Sequence, residues 1–376
     1  MRSLALVLML VGGPAAAIAQ PRWVRANFHA HAASGEVGDD GSETPAALHR
    51  AVRKAGFDFS VHTPHSTLNT DPHAAAHWLT ERARESQLHI PGLTAALGEE
   101  LTVAAGPNFQ RHTQILGRAA PGNLDHLSLF GMNELIPSLT PLGAACDRVH
   151  EDGGICIVNH PGPGPMMWEE GLWEAPESRG KVDALEIYNG QAMSTVGIDF
   201  EGRYREATAY SGLGLKIAAV TGADTHGPRS VERARSRLAA LGAVGKLIKM
   251  LLPGSHGLRP ELAAATLVGA ESASTADVIA AIKARRTIAE YGLRELGVEC
   301  PGLGEVKHTH SVALALTLSR PVAEITLYRE GAQVRSWKDA RAAEWHETID
   351  KPAAYVFGVR DPKGRLTTSA IWYEPR

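Results

Sequence analysis

The chain has 376 residues and a formal net charge of −3, which gives no reason to expect nucleic acid or an anionic membrane as a partner. With 44% hydrophobic and 21% charged residues, the composition is ordinary for a soluble globular protein, so disorder is not the default expectation. The 17 histidines are the unusual feature, so their positions direct the search for a site.

The first residues have the pattern of an export signal. Arg2 supplies a positive charge, residues 4–11 are apolar, and Ala17-Ile18-Ala19 is a small-x-small cleavage site. The apolar stretch is shorter than the roughly 20 residues that span a bilayer, so a cleaved signal over residues 1–19 is favoured over a retained anchor. No cysteine directly follows it, which argues against a lipid anchor. We expect a periplasmic or secreted protein, cleaved near Ala19.

Strand-like and helix-like stretches alternate from residue 22 to residue 298. Thr44 and Pro45 supply an N-cap and a first-turn proline for a helix that ends at Gly56. Apolar strand-like runs follow at residues 57–61, 93–97, 155–158, 182–188 and 215–220. Repeated strand–helix units predict an α/β fold with a parallel sheet closed into a barrel, whose functional groups gather at the carboxyl ends of the strands.

Histidine and carboxylate side chains stand where these apolar runs end. His29 and His31 are two residues apart, so both imidazoles point the same way on a strand. The later candidates are His65, Glu100, His112, His160, Asp224 and His226. Imidazole nitrogen and carboxylate oxygen are ligands of zinc, manganese and iron. We predict a metal site at the barrel mouth, with Asp40 as a further ligand or, alternatively, an ordinary turn carboxylate.

The candidate ligands suffice for two or three divalent ions (Zn, Mn or Fe), although their division between ions is left open. Ions roughly 3.5–4 Å apart can share a hydroxide and clamp a phosphoryl oxygen. This predicts ester hydrolysis by a metal-bound hydroxide, with His65, His160 or His226 protonating the leaving group. Arg111 and Arg229 stand beside ligands and are candidates for substrate binding, with surface salt bridges as the alternative.

Other residues of suitable chemistry are assigned elsewhere. His62 replaces an apolar strand residue, which favours a hydrogen-bonded core histidine. Glu186 either supports a ligand or belongs to a core ion pair. Cys146 and Cys156 could form a disulfide in an oxidising compartment, but two buried free thiols are favoured. Five histidines fall in helices or loops and are predicted to face solvent: His73, His77, His89, His126 and His150. His49, on a helix face, is given no role.

The pattern changes after residue 302. Val312, Leu314, Leu316 and Leu318 alternate with smaller or polar residues, which predicts a half-buried strand. Hairpin signals follow towards the end of the chain. We predict a small antiparallel β domain over residues 302–376, with a packing or lid role favoured over a ligand-binding one.

Short motifs follow one another in order from residue 22 to residue 295. They include residues 27–31 (Asn-Phe-His-Ala-His), 98–102 (Gly-Glu-Glu-Leu-Thr) and 222–227 (Gly-Ala-Asp-Thr-His-Gly). Between these stand Asp40-Gly41 with Thr44-Pro45, residues 56–67, Arg-His112-Thr-Gln, Asn-His160-Pro and Val-Asp-Ala-Leu-Glu186. The ordered series resembles the PHP (polymerase and histidinol phosphatase) superfamily. Pro64 and Ser66 depart from its pattern, and the choice of Glu100 over Glu99 as the ligand rests on spacing.

The resemblance implies a distorted (β/α)7 TIM-like barrel over residues 22–298, up to three divalent ions and hydrolysis of phosphate esters. The leader and the trailing β domain look most like its exported CehA/McbA-like branch, which includes enzymes that cleave an aryl carbamate ester. We therefore expect an exported metal-dependent hydrolase of a small-molecule ester, most simply a phosphoesterase. The alternatives are a carbamate, carboxylic ester or amide hydrolase with the same site, and a non-catalytic metal- or ligand-binding protein. The oligomeric state is left open.

Overall fold

The computed structural model describes residues 23–33, 41–66, 74–103, 126–161, 178–227 and 260–376. Within these ranges no helix has the length and apolar character needed to cross a membrane. The predictions for the signal segment, Asp40, His73, Arg111, His112 and Arg229 lie outside the described residues.

Strands and helices are numbered in chain order. The strands are β1 Trp23–Asn27, β2 Phe59–His62, β3 His65–Ser66, β4 Thr94–Thr102, β5 His126–Phe130, β6 Ile155–Val158, β7 Ala184–Asn189, β8 Ala218–Gly222, β9 Ala264–Gly269, β10 Thr287–Tyr291, β11 Val298–Glu299, β12 Val306–Lys307, β13 Ser311–Arg329, β14 Ala332–Thr348, β15 Ala353–Asp361, β16 Gly364–Thr368 and β17 Ile371–Tyr373. The helices are α1 Pro45–Lys54, α2 Ala74–Ser86, α3 Leu142–Glu151, α4 Gly190–Val196, α5 Glu201–Thr208 and α6 Thr275–Lys283, and a 3-10 turn spans Pro260–Ala263.

Helix α1 begins and ends as its sequence predicts. The Thr44 side chain accepts a hydrogen bond from the Ala47 amide, and Pro45 occupies the first turn. Leu48 and Val52 are buried on the inner face. The chain leaves the helix through Gly56, whose φ of +86° lies in the left-handed region that glycine adopts without strain. This exit leads the chain into β2.

Strands β1, β2 and β4 to β8 belong to a mixed sheet, and the described strands β1 to β17 together close as a barrel. The β1–β2, β2–β4, β6–β7 and β7–β8 pairs are parallel. Strand β5 is antiparallel to both β4 and β6, which corrects the predicted parallel sheet. A parallel bridge between Ala30 and Thr225 links the ends of β1 and β8. Because β5 runs against its neighbours, its amino end lies beside their carboxyl ends.

A buried apolar cluster packs along the strands, before the strand ends that carry the polar side chains. Phe28, Phe59 and Phe130 have ring centroids 5.6 to 6.0 Å apart, and Ile157 and Val220 belong to the same buried cluster. Burial of such side chains contributes roughly 1.5–3 kcal/mol each to folding. The apolar packing therefore holds the strands whose ends carry the polar side chains.

A disulfide joins Cys146 on α3 to Cys156 on β6, so the prediction of two free thiols is wrong. Helix α3 packs back onto β6 and brings the two Cα atoms to 5.5 Å, a separation that suits a disulfide. The bridge fastens α3 to the strand that leads to Asn159 and His160.

The C-terminal strands continue the sheet of the barrel strands. The alternation predicted for residues 312–318 is observed, with Val312, Leu314, Leu316 and Leu318 buried. Strand β13 pairs with β14 and β15, and β16 pairs with β10 through partners such as Tyr291 and Arg365. A domain boundary between residues 298 and 302 stays a prediction.

Candidate metal centre

The predicted ligands that fall within the described ranges meet at one end of the barrel. They are His29 and His31 after β1, His65 in β3, Glu100 in β4, His160 after β6, and Asp224 and His226 after β8. Each lies at or just beyond a strand end, as the alternation of strands and helices predicts.

The Glu100 carboxylate is the centre of this cluster. Its Oε1 atom lies 3.0 Å from His29 Nε2 and 2.9 Å from His126 Nδ1. Its Oε2 atom lies 3.2 Å from His31 Nε2 and 2.9 Å from His65 Nδ1. One carboxylate therefore contacts four imidazoles from three separate segments of the chain.

Two further nitrogens approach the same carboxylate. Asn159 Nδ2 donates to Glu100 Oε1 at 2.9 Å, and His160 Nε2 lies 3.5 Å from that oxygen. Together with the four imidazoles, six side-chain nitrogens surround two oxygen atoms. Glu100 is 1% exposed, so the crowding occurs away from bulk water.

Asp224 supplies the second carboxylate. Its Oδ1 atom lies 3.5 Å from His29 Nε2, 3.4 Å from His31 Nε2 and 3.7 Å from His226 Nδ1. Its Oδ2 atom accepts a hydrogen bond from Asn189 Nδ2 at 3.0 Å. The asparagine therefore orients the carboxylate while its other oxygen faces the imidazoles.

The donor set fits divalent cations. Four groups have ligand atoms that all lie within 4.8 Å of one another: His31, His65 and His226; His29, His31 and Glu100; His29, His160 and Asp224; and His65, Glu100 and His126. His29 Nε2 and His31 Nε2 are only 3.2 Å apart. A neutral imidazole carries one N–H and one lone pair, so hydrogen bonds alone serve this many converging nitrogens poorly. A cation coordinated by the lone pairs serves them well.

The electrostatics of the site favour bound positive charge. Burial opposes the ionised form of Glu100, but His29, His126 and His65 lower its pKa well below the ordinary value. Burial likewise opposes the charge of Asp224, and His29, His31 and His226 lower its pKa. Both carboxylates are therefore ionised at neutral pH, as metal ligands must be.

The histidines respond to the same charges. Burial opposes protonation of His29, yet Glu100, Asp224 and Glu186 raise its pKa well above the ordinary value. For His160, contact with Glu100 similarly overcomes burial and raises the pKa. For His126 burial dominates and lowers the pKa. A strong attraction for a positive charge, on a proton or on a metal ion, is thus built into this end of the barrel.

Glu186 contacts the candidate ligand His29, which favours support of a ligand among the two roles left open by its sequence position. Its Oε1 atom contacts His29 Nδ1 at 3.3 Å, and its Oε2 atom accepts hydrogen bonds from the His160 amide at 2.6 Å and Asn189 Nδ2 at 3.1 Å. Gln191 Oε1 contacts His226 Nδ1 at 3.0 Å in the same manner. Such partners orient an imidazole and leave its other nitrogen for metal.

Backbone geometry at the site is specialised in two ways. A Cβ atom on Gly222 would lie 2.3 Å from both Glu186 Oε1 and His29 Cβ, so only glycine lets β8 pass this close. His160 and Asp224 have φ angles of +31° and +49°. Non-glycine residues in this region persist where surrounding contacts hold them, and such residues cluster at functional sites.

One side of the site is open. His29, His31 and Glu100 have side chains exposed by 1% or less, whereas those of His65, His126, His160, His226 and Asp224 are 13 to 21% exposed. The closed residues form the floor, and the partly exposed ones form the rim that a substrate would meet.

His126 is the main residue that sequence reasoning missed. It was predicted to face solvent, but it is the first residue of β5 and contacts Glu100. The antiparallel direction of β5 puts this residue beside the carboxyl ends of the neighbouring strands. Gln191, on α4, was not identified either, because it stands in a helical stretch without a strand-end signal. His150 is also not simply exposed, since its Nε2 atom lies 2.8 Å from Asp183.

The prediction for His62 is confirmed, and His49 and Glu99 also contact groups outside the cluster. His62 is fully buried and its Nδ1 atom hydrogen-bonds Glu85, as predicted for a core histidine. His49 contacts the other oxygen of Glu85 at 3.1 Å. Glu99 turns away from the cluster and accepts a hydrogen bond from the Ile136 amide at 3.1 Å. Glu100 is therefore the carboxylate of this pair that belongs to the site.

Comparisons with known proteins give limited similarity. No family model matches the chain, and no curated protein matches it. Among solved structures, a candidate metal-dependent phosphoesterase from Bifidobacterium adolescentis is 18% identical with a TM-score of 0.32, over 55% of this chain and 90% of that one. The sulfur carrier protein SoxY from Chlorobium limicola is 12% identical with a TM-score of 0.17, over 21% of this chain and 73% of that one. Bacteroides uniformis β-glucuronidase 2 is 10% identical with a TM-score of 0.24, over 95% and 46%. With scores this low, the functional argument rests on the geometry of the site.

Proposed function

We propose that the protein is a metal-dependent hydrolase. The observation that carries this proposal is the crowding of six side-chain nitrogens around the buried Glu100 carboxylate, with Asp224 beside them. Two or three divalent ions (Zn, Mn or Fe) would be held by these groups, together with Asp40 and His112 of the sequence motifs. When bound, such ions supply Lewis acidity and lower the pKa of coordinated water.

Within this class we propose a phosphoesterase that acts on a small-molecule ester. Overlapping ligand groups that share Glu100 support closely spaced ions, and paired ions suit the attacking and leaving oxygens of a phosphoryl centre. The ordered motifs of the sequence support a PHP-type barrel as the scaffold. Arg111 and Arg229 stay candidates for binding the phosphate group.

Other side chains would orient the ligands and protonate the leaving group. Glu186 and Gln191 orient His29 and His226 through hydrogen bonds to ring nitrogens. Of the three histidines proposed to protonate the leaving group, His160 lies on the partly exposed rim, and it could act only where its ring is not bound to metal. An imidazole that holds its proton near neutral pH is suited to general acid catalysis.

We also propose that the protein is exported, as its first 19 residues indicate. The Cys146–Cys156 disulfide supports this proposal, because disulfides persist in oxidising compartments. Mass spectrometry of the protein recovered from its native host tests it, with a mature terminus near Gln20 expected.

The test of function combines metal analysis with turnover. We expect bound divalent metal in the purified protein, hydrolysis of a chromogenic phosphodiester, and loss of both in His29→Ala. An aryl carbamate serves as the second substrate. His89→Ala is the matched control, because His89 is exposed and belongs to none of the candidate ligand groups.

Each contrary outcome has a defined meaning. Turnover of the carbamate alone overturns the phosphoesterase and keeps the hydrolase. Bound metal without turnover of either ester would favour a binding protein. Absence of metal after loading with Zn²⁺ and Mn²⁺ overturns the site.

A further inference from the structure

Ala30, the residue between His29 and His31, is held from both sides by threonines. The Thr63 hydroxyl accepts a hydrogen bond from the Ala30 amide at 3.1 Å, and the Thr63 amide donates to the Ala30 carbonyl at 2.8 Å. On the other side, Ala30 forms a bridge with Thr225, and the His31 amide donates to the Thr225 carbonyl at 2.9 Å. Thr225 is itself the central residue of Asp224-Thr225-His226. The two ligand pairs are therefore joined through their middle residues.

Thr225 also contacts a buried carboxylate that lies outside the candidate metal centre. Its hydroxyl donates to Glu261 Oε1 at 2.8 Å, and the same hydroxyl accepts from the Gly227 amide at 3.4 Å. Thr225 is fully buried and Glu261 is 1% exposed. Glu261 lies in the 3-10 turn ahead of β9, so an element remote from the ligand sequence contacts the ligand loop.

The Asp224–His226 loop needs such support because its backbone is strained. Asp224 has a φ of +49°, which a non-glycine residue keeps only where several contacts define it. The Asp224 amide donates to the His29 carbonyl at 2.7 Å, which fixes the start of the loop. The Thr225–Glu261 hydrogen bond fixes its middle.

We propose that Thr225 and Glu261 form a positioning pair that sets the distance between the Asp224–His226 ligands and the His29–His31 ligands. Neither side chain is among the groups whose atoms converge on the metal centre in the described residues. The pair acts through the backbone: it places Asp224 Oδ1 within 3.5 Å of both His29 Nε2 and His31 Nε2. The inference rests on the proposed metal site, and goes beyond it by assigning two further residues to metal affinity.

The experiment is a Zn²⁺ titration of the metal-free protein against a chelating dye, with the melting temperature of each metal-free variant measured in parallel. Thr225→Val keeps the shape of the side chain and removes the hydroxyl. We expect Zn²⁺ affinity to fall about 10- to 100-fold, the usual cost of losing a group that orients ligands. Thr225→Ser keeps the hydroxyl and should bind Zn²⁺ within about threefold of wild type, well short of that loss.

Two further variants separate positioning from general stability. Thr221→Val is the matched control, because Thr221 is equally buried and its hydroxyl contacts Thr266 at 3.2 Å instead of the ligand loop. It should lower the melting temperature without changing Zn²⁺ affinity. Glu261→Ala should weaken Zn²⁺ binding like Thr225→Val, and the double variant should lose little more, because the two side chains act as one pair.

The outcomes distinguish this inference from the proposed function. Unchanged Zn²⁺ affinity in Thr225→Val, or equal losses in Thr225→Val and Thr221→Val, overturns the positioning pair alone. A fall in Zn²⁺ affinity in Thr225→Val, as expected, together with a wild-type protein that hydrolyses no ester, supports the pair and overturns the hydrolase. A wild-type protein that binds no Zn²⁺ overturns both.

Discussion

Two buried clusters of histidine and glutamate lie near the same end of the barrel, and they differ in how many nitrogens approach the glutamate. Glu85 on α2 contacts two imidazoles, His62 and His49, one at each carboxylate oxygen. Glu100 on β4 is approached by five imidazoles and an asparagine amide. The first cluster joins α1, α2 and β2, whereas the second joins β3, β4 and β5 with the residues that follow β1 and β6.

The comparison shows how the number of donors separates a core network from a metal site. A carboxylate has two oxygens with about four lone-pair positions, so Glu85 can accept a hydrogen bond from each of its two imidazoles. At Glu100, the six nitrogens exceed the number of hydrogen bonds that two carboxylate oxygens can accept in good geometry. Burial and residue type are alike in the two clusters, so neither would distinguish them alone.

The largest effect is expected at Glu100. Glu100→Gln removes the charge around which the imidazoles gather, so we expect bound metal to be lost and hydrolysis to fall to the level of the metal-free protein. Elemental analysis and phosphodiester turnover measure this. A variant that keeps its metal would show that Glu100 is only a core acceptor, as Glu85 is.

Glu85→Gln is expected to change stability and not metal content. Removing one charge from a buried histidine–carboxylate network lowers the free energy of unfolding by about 3 kcal/mol. The metal content should not change, because every candidate ligand is intact. Urea unfolding of the metal-free protein measures the loss, and metal analysis should return the wild-type content. Loss of metal without loss of stability would reverse the roles assigned to the two clusters.

The pH dependence of stability follows from the same glutamate. Burial raises the pKa of Glu85, but His62 and His49 more than offset this and lower it below its ordinary value of 4.5. The folded state therefore gains stability from Glu85 above pH 4.5 and loses it as the pH falls through the folded pKa. The difference in unfolding free energy between wild type and Glu85→Gln should shrink as the pH is lowered from 7 to 3. A difference that stays constant would contradict the assigned charge.

His126→Ala tests the ligand that sequence reasoning missed. We expect metal affinity to fall by about 10- to 100-fold, because His65 and Glu100 retain the rest of that ligand group. His150→Ala is the control, since His150 contacts Asp183 away from the site. Equal metal affinity in the two variants would remove His126 from the centre.

The smallest effect is expected at Gln191. Gln191→Ala removes the contact to His226 Nδ1 and leaves every candidate ligand in place. Metal affinity should fall by about tenfold, with the saturated metal content unchanged. Isothermal titration measures both quantities, and a lower saturated content would make Gln191 part of the binding set.

Local signals predicted much of the site, and the direction of one strand explains the main error. His29, His31, His65, Glu100, His160, Asp224 and His226 all follow apolar runs, and in a parallel sheet such positions share one edge. His126 precedes its run, and only the antiparallel pairing of β5 brings it to that edge. Strand direction depends on long-range pairing, which periodicity within a segment does not report.

The disulfide was missed for a related reason. Cys146 and Cys156 stand on a helix and on the strand after it, and their spacing is compatible with either thiols or a bond. Only the packing of α3 against β6 fixes the distance between them. The same limit applies to Gln191, whose place depends on how α4 packs against β7 and the 3-10 turn.

The overlap of the ligand groups limits which ions can be held together. A neutral imidazole gives its single lone pair to one ion, whereas a carboxylate can bridge two. Among the described residues, the group of His31, His65 and His226 shares no member with that of His29, His160 and Asp224, so both can be filled at once. The two groups that contain Glu100 can also be filled together, with Glu100 as the bridge. These two arrangements use His29, His31 and His65 differently, so neutral imidazoles allow only one of them at a time.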